Sequence, residues 1–230
     1  MKAWERLAEA RAPDGTDIWL TRRDTEYLIL ANGKPLMSSR MHGSEEALAT
    51  LACGEARLMD RPRVLVGGLG MGFTLRAVLD ILPHSADVTV VELLPAVIDW
   101  NRKPLAALAG NPLSDRRVRV DVNDVGFTLR AHPGGFDVVL LDVDNGPAAF
   151  TTAANAGLYD NGGVAACYAA LRSRGTLAVW SAWEDRKFEQ RLRFHGFEVE
   201  VVQVRARLKR GGPRHTLFLG RKRATTKTED

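Results

Sequence analysis

Short apolar runs alternate with amphipathic segments along most of the chain. Apolar runs of about four to eight residues bounded by Gly, Pro, Asn or Asp are typical of buried strands, and apolar positions that recur every three or four residues predict helices. A basic, Gly-rich loop joins the last two strands, and helical segments separate the others. The predicted strands are Val64–Val66, Asp87–Val91, Val118–Val122, Phe136–Val143, Thr176–Ser181, Phe197–Arg205 and Thr216–Leu219.

A different pattern occupies residues 1–43. Residues 1–15 begin with helix-forming side chains, so we predict a short helix that ends at a Pro-Asp-Gly turn. Ile18–Thr21 and Glu26–Ala31 are rich in β-forming residues, and Asn32-Gly33 is a strong hairpin signal before a return strand. We therefore predict a small N-terminal segment built on an antiparallel β-hairpin.

The regular alternation that follows predicts the fold of the main domain. Ser44 is the predicted N-cap of a helix over 45–59. From there, strand and helix alternate until a terminal hairpin, which predicts an α/β, doubly wound, Rossmann-like sheet of seven strands, of the methyltransferase type. We assign this catalytic domain to residues 44–220 and interpret residues 221–230 as a disordered tail.

A glycine-rich turn follows the first strand of this domain. It contains Gly67, Gly68, Gly70 and Gly72, and helical spacing resumes at Phe73. Glycines allow a sharp turn and a close ligand, and the next helix directs its free N–H groups at the turn. The spacing is neither G-x-G-x-x-G nor a P-loop, because no G-K-[ST] follows. It is G-x-G-x-G, the pattern of S-adenosylmethionine-type enzymes, so we predict that these glycines bind that cofactor.

Two acidic residues follow the next two strands. Glu92 lies twenty positions after Gly72, where this architecture places the carboxylate that accepts hydrogen bonds from ribose hydroxyls. Asp124 follows the third strand, where it is either a contact to the adenine amino group or a helix cap. Both are therefore candidate cofactor-binding residues.

Polar side chains also end the most apolar strand, Phe136–Val143. Asp142, Asp144 and Asn145 lie there, before Gly146-Pro147. Ligands bind beyond the carboxyl ends of the strands in an open parallel sheet. We therefore predict that the reaction centre lies at this edge, next to the glycine turn.

Composition narrows the functional classes. The 230 residues carry a net charge of +4 and include two cysteines, Cys53 and Cys167, which lie in apolar surroundings and predict buried thiols. No zinc-ligand spacing, secretory signal or membrane-length apolar run is present. The basic residues gather near the C-terminus without interleaved aromatics, which disfavours nucleic acid as a partner. We expect a cytoplasmic protein without a metal or a membrane partner.

The motifs together resemble the polyamine aminopropyltransferase family, the spermidine and spermine synthases. The glycine turn is similar to that family's GGGDGG loop, and Val90–Pro95 to its VVEID segment. Val120–Asp124 corresponds to its GDA site, and Phe136–Pro147 to its YDVIIVDSSDPxGP segment. The resemblance extends over nearly the whole chain, and it implies decarboxylated S-adenosylmethionine and an amine as substrates. The N-terminal hairpin offers a sheet edge, which together with the family's oligomers implies a homodimer.

Residue roles follow from the resemblance position by position. It implies that the glycine turn holds the thioether part, Glu92 the ribose and Asp124 the adenine. It implies catalytic roles for Asp142, as proton acceptor, and for Asp144. The implied amine-binding residues are Glu46, Asn145 and Tyr159.

One departure leaves the reaction open. The family's glycine-loop Asp falls at Leu69 or Gly70 here, which removes a carboxylate beside the amine of a decarboxylated cofactor. Ordinary S-adenosylmethionine carries its own carboxylate, so a small-molecule methyltransferase is one alternative. A non-catalytic nucleoside-binding relative is another.

Overall fold

Two β-sheets organise the chain in the computed structural model. The structure describes residues 2–143, 146–147, 157–207 and 211–224. One sheet has four strands and belongs to the N-terminal segment, and the other has seven strands and forms the main domain. Within the described residues, no helix has the length and apolar character needed to cross a membrane.

The N-terminal sheet is larger than the predicted hairpin. Its four antiparallel strands follow chain order: β1 Glu5–Arg11, β2 Asp17–Arg23, β3 Glu26–Ala31 and β4 Lys34–Ser38. The predicted helix over residues 1–15 is wrong, because β1 occupies this stretch and pairs with β2. Helix-forming side chains there are overridden by the open edge of β2, whose backbone groups need partners.

The seven-stranded sheet confirms the predicted fold class. Its order is β10-β11-β9-β8-β5-β6-β7, with β11 antiparallel to both neighbours and the strands from β9 to β7 parallel. The strands are β5 Arg63–Gly67, β6 Asp87–Glu92, β7 Val118–Val122, β8 Phe136–Leu141, β9 Leu171–Ser181, β10 Phe197–Arg205 and β11 Arg214–Lys222.

Helices cover both faces of this sheet. The first, α1, runs from Gly43 to Ala52, so Ser44 lies in its first turn instead of capping it, and the helix ends before the predicted Met59. Short 3-10 turns lie at Ala56–Leu58 and Pro112–Ser114. The helices are α1 Gly43–Ala52, α2 Phe73–Ile81, α3 Pro95–Arg102, α4 Val125–Ala131, α5 Asn161–Ala170 and α6 Arg186–Phe194.

Alternate residues of the strands pack into two separate apolar layers. Val64 and Val66 of β5 belong to one layer, whereas Leu65 belongs to the other. Strands buried on both faces are what continuous Val/Leu runs predict for a parallel sheet. Cys53 and Cys167 lie in these layers as predicted, and burial raises the pKa of both thiols to about 12.

Two predicted boundaries near the C-terminus are wrong. The strand predicted at Thr176 begins at Leu171, directly after α5. Lys222, which we placed in a disordered tail, ends β11, and its ammonium group donates to the carbonyl oxygens of Tyr168 (2.8 Å) and Leu171 (2.7 Å). These two bonds satisfy carbonyls at the end of α5, so the tail prediction began too early.

The chain order places a crevice at one edge of the sheet. From β5 the chain winds outward through β6 and β7, and then returns to the other side of β5 as β8. The order therefore reverses between β5 and β8. Ligands bind outside the carboxyl ends of strands at such a point, where the glycine turn and Asp142 lie.

Candidate active site

A cavity of about 370 Å³ lies between the carboxyl edge of the main sheet and the N-terminal sheet. Gly68, Glu92, Asp124 and Asp142 line the wall on the main-sheet side. The volume falls within the range of about 300–1,000 Å³ that small-molecule sites occupy. Apolar side chains of the N-terminal sheet close the opposite wall: Ile18, Ile29, Leu36 and Met37.

Two glycines of the turn lie directly on this cavity. Gly68 has φ +90°, and a Cβ there would overlap the carbonyl oxygen of Asp142. Gly70 has φ +50°, and its Cβ would lie 2.9 Å from the sulfur of Met37. At Gly68 both the conformation and the Asp142 backbone exclude a larger residue, whereas at Gly70 the constraint is the left-handed conformation. The backbone itself therefore forms the floor of the cavity.

The other two glycines have packing roles. Gly67 ends β5, and a Cβ there would lie 2.8 Å from a methyl group of Val125. Gly72 precedes α2 with φ +86°, against the side-chain oxygen of Asn101. Neither glycine lines the cavity. Of the four predicted cofactor-binding glycines, Gly68 and Gly70 border the cavity, and Gly67 and Gly72 support the turn by packing.

Glu92 joins the end of β6 to the glycine turn. Its Oε2 accepts from the Leu69 N–H at 3.0 Å, and its Oε1 accepts from the Leu94 N–H at 2.9 Å. Burial raises the pKa of Glu92, while these backbone bonds act in the opposite direction. The carboxylate borders the cavity, and its acceptor-only oxygens suit hydroxyl donors.

Asp124 is a helix cap, one of the two interpretations that its sequence position left open, and it also borders the cavity. Its Oδ1 accepts from the Phe127 N–H at 2.9 Å, which caps α4. The same residue lines the cavity beside Asn123 and Val125. Capping uses one carboxylate oxygen, so Oδ2 remains available for a donor such as an amino group.

Asp142 follows β8 directly below the glycine turn. The Thr74 hydroxyl donates to its Oδ2 at 2.5 Å, and its own backbone N–H donates to the Gly67 carbonyl at 2.9 Å. Burial raises the pKa of Asp142, and the Thr74 hydrogen bond offsets part of that rise. The side chain is therefore fixed in place and reaches both the main cavity and a smaller one.

The smaller cavity brings a second carboxylate, Glu45, to Asp142. It measures about 20 Å³, and Thr74 and Gly70 also line it. Burial, and then the negative charge of Asp142, raises the pKa of Glu45. Two carboxylates that each disfavour ionisation of the other form an arrangement that a cation stabilises.

Sequence reasoning missed Glu45 and selected its neighbour Glu46. Glu46 Oε1 lies 2.7 Å from His42 Nδ1 and does not border either cavity. Helical periodicity contained the signal, because Glu45 lies one turn before the buried Leu48 and Ala49. Glu46 instead lies three residues before the buried Ala49 and four before the exposed Thr50, so it is at the edge of the buried face.

Three predicted site residues remain: Tyr159 lies apart from the cavity, and Asp144 and Asn145 lie outside the residues that the structure describes. The Tyr159 hydroxyl donates to the Val143 carbonyl at 3.1 Å, and its ring packs edge-on against Phe188 in the apolar layer. Asp144 and Asn145 lie outside the described residues. Their predicted roles stay predictions.

The residues present fit a nucleoside with a cationic substituent. Glycine backbone and apolar walls suit a ring system, whereas Glu92 and Asp124 offer acceptors for hydroxyl and amino donors. The cationic end would face Asp142 and Glu45 in the smaller cavity. Among residues 2–143, 146–147, 157–207 and 211–224, no cluster of His, Cys, Asp or Glu could hold a metal ion.

Comparison with known proteins adds a family and a fold. Residues 41–199 match the spermine/spermidine synthase domain family. No curated protein sequence matches the chain. Among solved structures, spermidine synthase from Thermotoga maritima superposes with a TM-score of 0.72 at 19% identity, over 96% of this chain and 73% of that one.

Two further structures share the fold. A spermidine synthase in complex with the transition-state analogue AdoDATO gives a TM-score of 0.72 at 20% identity, over 96% of this chain and 73% of that one. A probable spermidine synthase from Corynebacterium glutamicum gives 0.65 at 17% identity, over 96% and 81%. These likenesses include the N-terminal sheet as well as the main domain.

Proposed function

Because this chain belongs to the spermine/spermidine synthase family, we propose that it transfers an aminopropyl group from decarboxylated S-adenosylmethionine to a small amine such as putrescine. One observation carries the proposal. Asp142 is a buried carboxylate at the junction between a nucleoside-sized cavity and a small cavity that contains a second carboxylate. A sulfonium nucleoside and an amine would meet at this junction.

The nucleoside part is assigned to the main cavity. In this proposal Glu92 accepts from the ribose hydroxyls, and Oδ2 of Asp124 accepts from the adenine amino group. Gly68 and Gly70 leave room for the thioether part against the backbone. One spermidine synthase that shares this fold is described in complex with a transition-state analogue, AdoDATO.

Asp142 is the proposed proton acceptor. A free alkylamine has a pKa of about 10 and is mostly protonated at neutral pH. Asp142 binds the ammonium and takes one proton, which frees the nitrogen lone pair. The sulfonium supplies the leaving group: as the C–N bond forms, the C–S bond breaks and its electron pair stays on sulfur. Asp142 is then left protonated beside a secondary ammonium product.

Glu45 takes the place of the carboxylate that the glycine turn lacks. Leu69 and Gly70, which border the smaller cavity, carry no charge, but Glu45 borders the same space. We assign Glu45 to the ammonium end of the aminopropyl group. The raised pKa of Glu45 follows from burial and from Asp142, so a bound cation would restore its ionised form.

Ligand binding and product analysis test the proposal together. Calorimetry compares S-adenosylmethionine, its decarboxylated form and 5′-methylthioadenosine, and mass spectrometry follows an incubation with the decarboxylated form and putrescine. The expected result is preference for the decarboxylated form, with release of methylthioadenosine and an aminopropylated amine. D142N serves as the matched control, because it keeps the shape of the site without the basic carboxylate.

Methyl transfer is the second candidate, and the uncharged Leu69 and Gly70 favour it. A full cofactor carries its own carboxylate and would repel an acidic turn. Tighter binding of S-adenosylmethionine than of its decarboxylated form, together with a methylated amine, would overturn aminopropyl transfer. Binding of none of the three nucleosides would favour the non-catalytic interpretation.

A further inference from the structure

Ser44 and His215 continue the carboxylate pair away from the cavity. Ser44 Oγ lies 2.7 Å from Glu45 Oε2 and 2.9 Å from His215 Nδ1. Ser44 is in the first turn of α1 and is fully buried, whereas His215 on β11 is partly exposed. These contacts form an unbroken line from Glu45 towards the surface.

Ser44 was predicted to cap a helix, but its hydroxyl has no such role. The backbone N–H of Gly43 donates to the Ala206 carbonyl at 2.8 Å, which joins the start of α1 to the residue that follows β10. The Ser44 hydroxyl is thereby held between α1 and the sheet. A hydroxyl both donates and accepts, so it can connect two titratable neighbours.

The same heavy-atom positions allow two arrangements of protons. In one, the Ser44 O–H donates to ionised Glu45 and the His215 Nδ1–H donates to Ser44 Oγ. In the other, protonated Glu45 donates to Ser44 Oγ and the Ser44 O–H donates to a bare His215 Nδ1. Conversion of the second into the first moves one proton from Glu45 to His215 without a change of heavy-atom position.

The surroundings of His215 suit a proton carrier. Its ring packs edge-on against Trp180 at 4.6 Å between ring centroids, and burial lowers the pKa of His215. The lowered pKa favours the neutral imidazole, whose bare nitrogen can accept a proton and readily release it again. The ionisable groups around Glu45 are Asp142 across the small cavity and Glu46 on the same helix, and Glu46 contacts His42.

We propose that Glu45, Ser44 and His215 form a proton path between the reaction centre and the solvent. The proposal rests on the proposed aminopropyl transfer, which leaves one proton on Asp142 in each turnover. That proton crosses the smaller cavity, which both carboxylates line, to reach Glu45. The Glu45 proton then passes to Ser44, and the Ser44 proton passes to His215 Nδ1. His215 becomes an imidazolium and releases its Nε2 proton to water, so atoms and charge balance. The same path removes the Glu45 proton when a cationic substrate binds.

Nuclear magnetic resonance tests the path without reference to activity. The ring nitrogens of ¹⁵N-labelled histidine are followed against pH in the wild type, S44A and E45Q. In the wild type we expect His215 Nδ1 to show a second titration step that comes from Glu45. Both substitutions should remove that step. His195, whose ring contacts Asn161 Oδ1 at 3.3 Å and packs edge-on against Phe194, is the internal control for an intact fold.

Turnover then tests the use of the path. S44A and H215N should lower kcat about tenfold or more, with KM for the amine and binding of methylthioadenosine unchanged. H215N keeps a hydrogen-bonding side chain that cannot titrate, and added imidazole should restore turnover in H215A. A purely structural role would lower binding as well and would not respond to imidazole.

Three results separate failure of the path from failure of the function. Identical His215 titrations in the wild type and S44A would overturn the path, whatever the enzyme does. Wild-type turnover in both S44A and H215N between about pH 6 and 9 would overturn its use in the reaction. A wild type that is inactive, but whose His215 Nδ1 still shows the titration step from Glu45, would overturn the proposed function and support the proton path.

Discussion

Glu92 holds the backbone of the glycine turn through one hydrogen bond, 3.0 Å long, from the Leu69 N–H to its Oε2. Leu69 separates Gly68 and Gly70, the two glycines that border the cavity. The carboxylate therefore shapes the turn and also faces the space assigned to the ribose. A substitution at this position should disturb nucleoside binding by both routes.

Replacement of Glu92 by Gln should weaken binding of 5′-methylthioadenosine at least about tenfold, the worth of one charge-assisted hydrogen bond. The amide has one acceptor oxygen, and its NH₂ group would face an N–H or a ribose hydroxyl. Isothermal titration calorimetry measures the change. E198Q is the matched control, because Glu198 contacts Arg223 at 3.1 Å on the exposed surface of β10. Equal affinities of E92Q and the wild type would contradict the ribose assignment.

The second prediction concerns Asp142 and pH. Burial raises the folded-state pKa of Asp142, and only the ionised carboxylate can accept the amine proton. Turnover should therefore rise as pH increases through that raised pKa, and fall below it. D142N should lower kcat by about 10²-fold or more while nucleoside binding persists.

Steady-state kinetics across pH, with parallel calorimetry, measures both parts of this prediction. T74V is a useful companion, because it removes the hydroxyl that donates to Asp142 Oδ2 and opposes the rise in pKa. Its pH profile should move to higher pH than that of the wild type. A D142N enzyme with wild-type kcat would show that the proton goes elsewhere.

The sequence predicted the cavity wall on the main-sheet side because that wall depends on local signals. Strand periodicity located the ends of β5, β6 and β8, and parallel strands bring those ends together whatever the loops do. Glu92 and Asp142 lie at the ends of β6 and β8, and Asp124 follows the end of β7 in the same way. Gly68 was selected by the glycine spacing after β5. Their places on one cavity are what the topology imposes.

The missed features depend on contacts between distant segments. Ser44 and His215 are 171 positions apart, and no local pattern connects them. The strand β1 is composed of helix-forming residues, and only the edge of β2 makes it a strand. The choice of Glu46 over Glu45 followed motif spacing, although the helical register of the buried Leu48 would have selected Glu45.

The third prediction compares two glycines with left-handed backbone. Gly68 has φ +90°, with the Asp142 carbonyl where a Cβ would lie, whereas Gly134 has φ +60° and nothing within 4 Å. G134A should cost about 1–2 kcal/mol of unfolding free energy from conformation alone. G68A should cost clearly more, because the Asp142 backbone must also move, and it should abolish nucleoside binding. Urea unfolding measures the loss of unfolding free energy in each variant. Equal losses would show that the Asp142 backbone moves away from the new Cβ at no cost.

The fourth prediction concerns an ion pair remote from the cavity, between the buried Arg117 and the partly exposed Asp115. Arg117 donates to Asp115 Oδ2 at 2.7 Å and to its Oδ1 at 2.9 Å, and also to the Leu82 carbonyl at 2.9 Å. The hydrogen bonds that Arg117 donates to Asp115 lower the pKa of Asp115 to about 2. D115N should therefore destabilise the fold by about 2 kcal/mol at neutral pH, since it leaves the buried guanidinium without its anion.

The pH dependence of that difference has a definite sign. The folded-state pKa of Asp115 lies below the unfolded value of about 3.9, so its stabilisation is present above pH 4 and is lost as pH falls towards 2. Urea unfolding of the wild type and D115N should give curves that differ at pH 7 and converge in acid. E55Q is the control: Glu55 and Arg221 are both more than half exposed, so its effect should stay within about 0.5 kcal/mol. A D115N deficit that does not shrink in acid would mean that packing around Arg117, rather than the Asp115 charge, stabilises this corner.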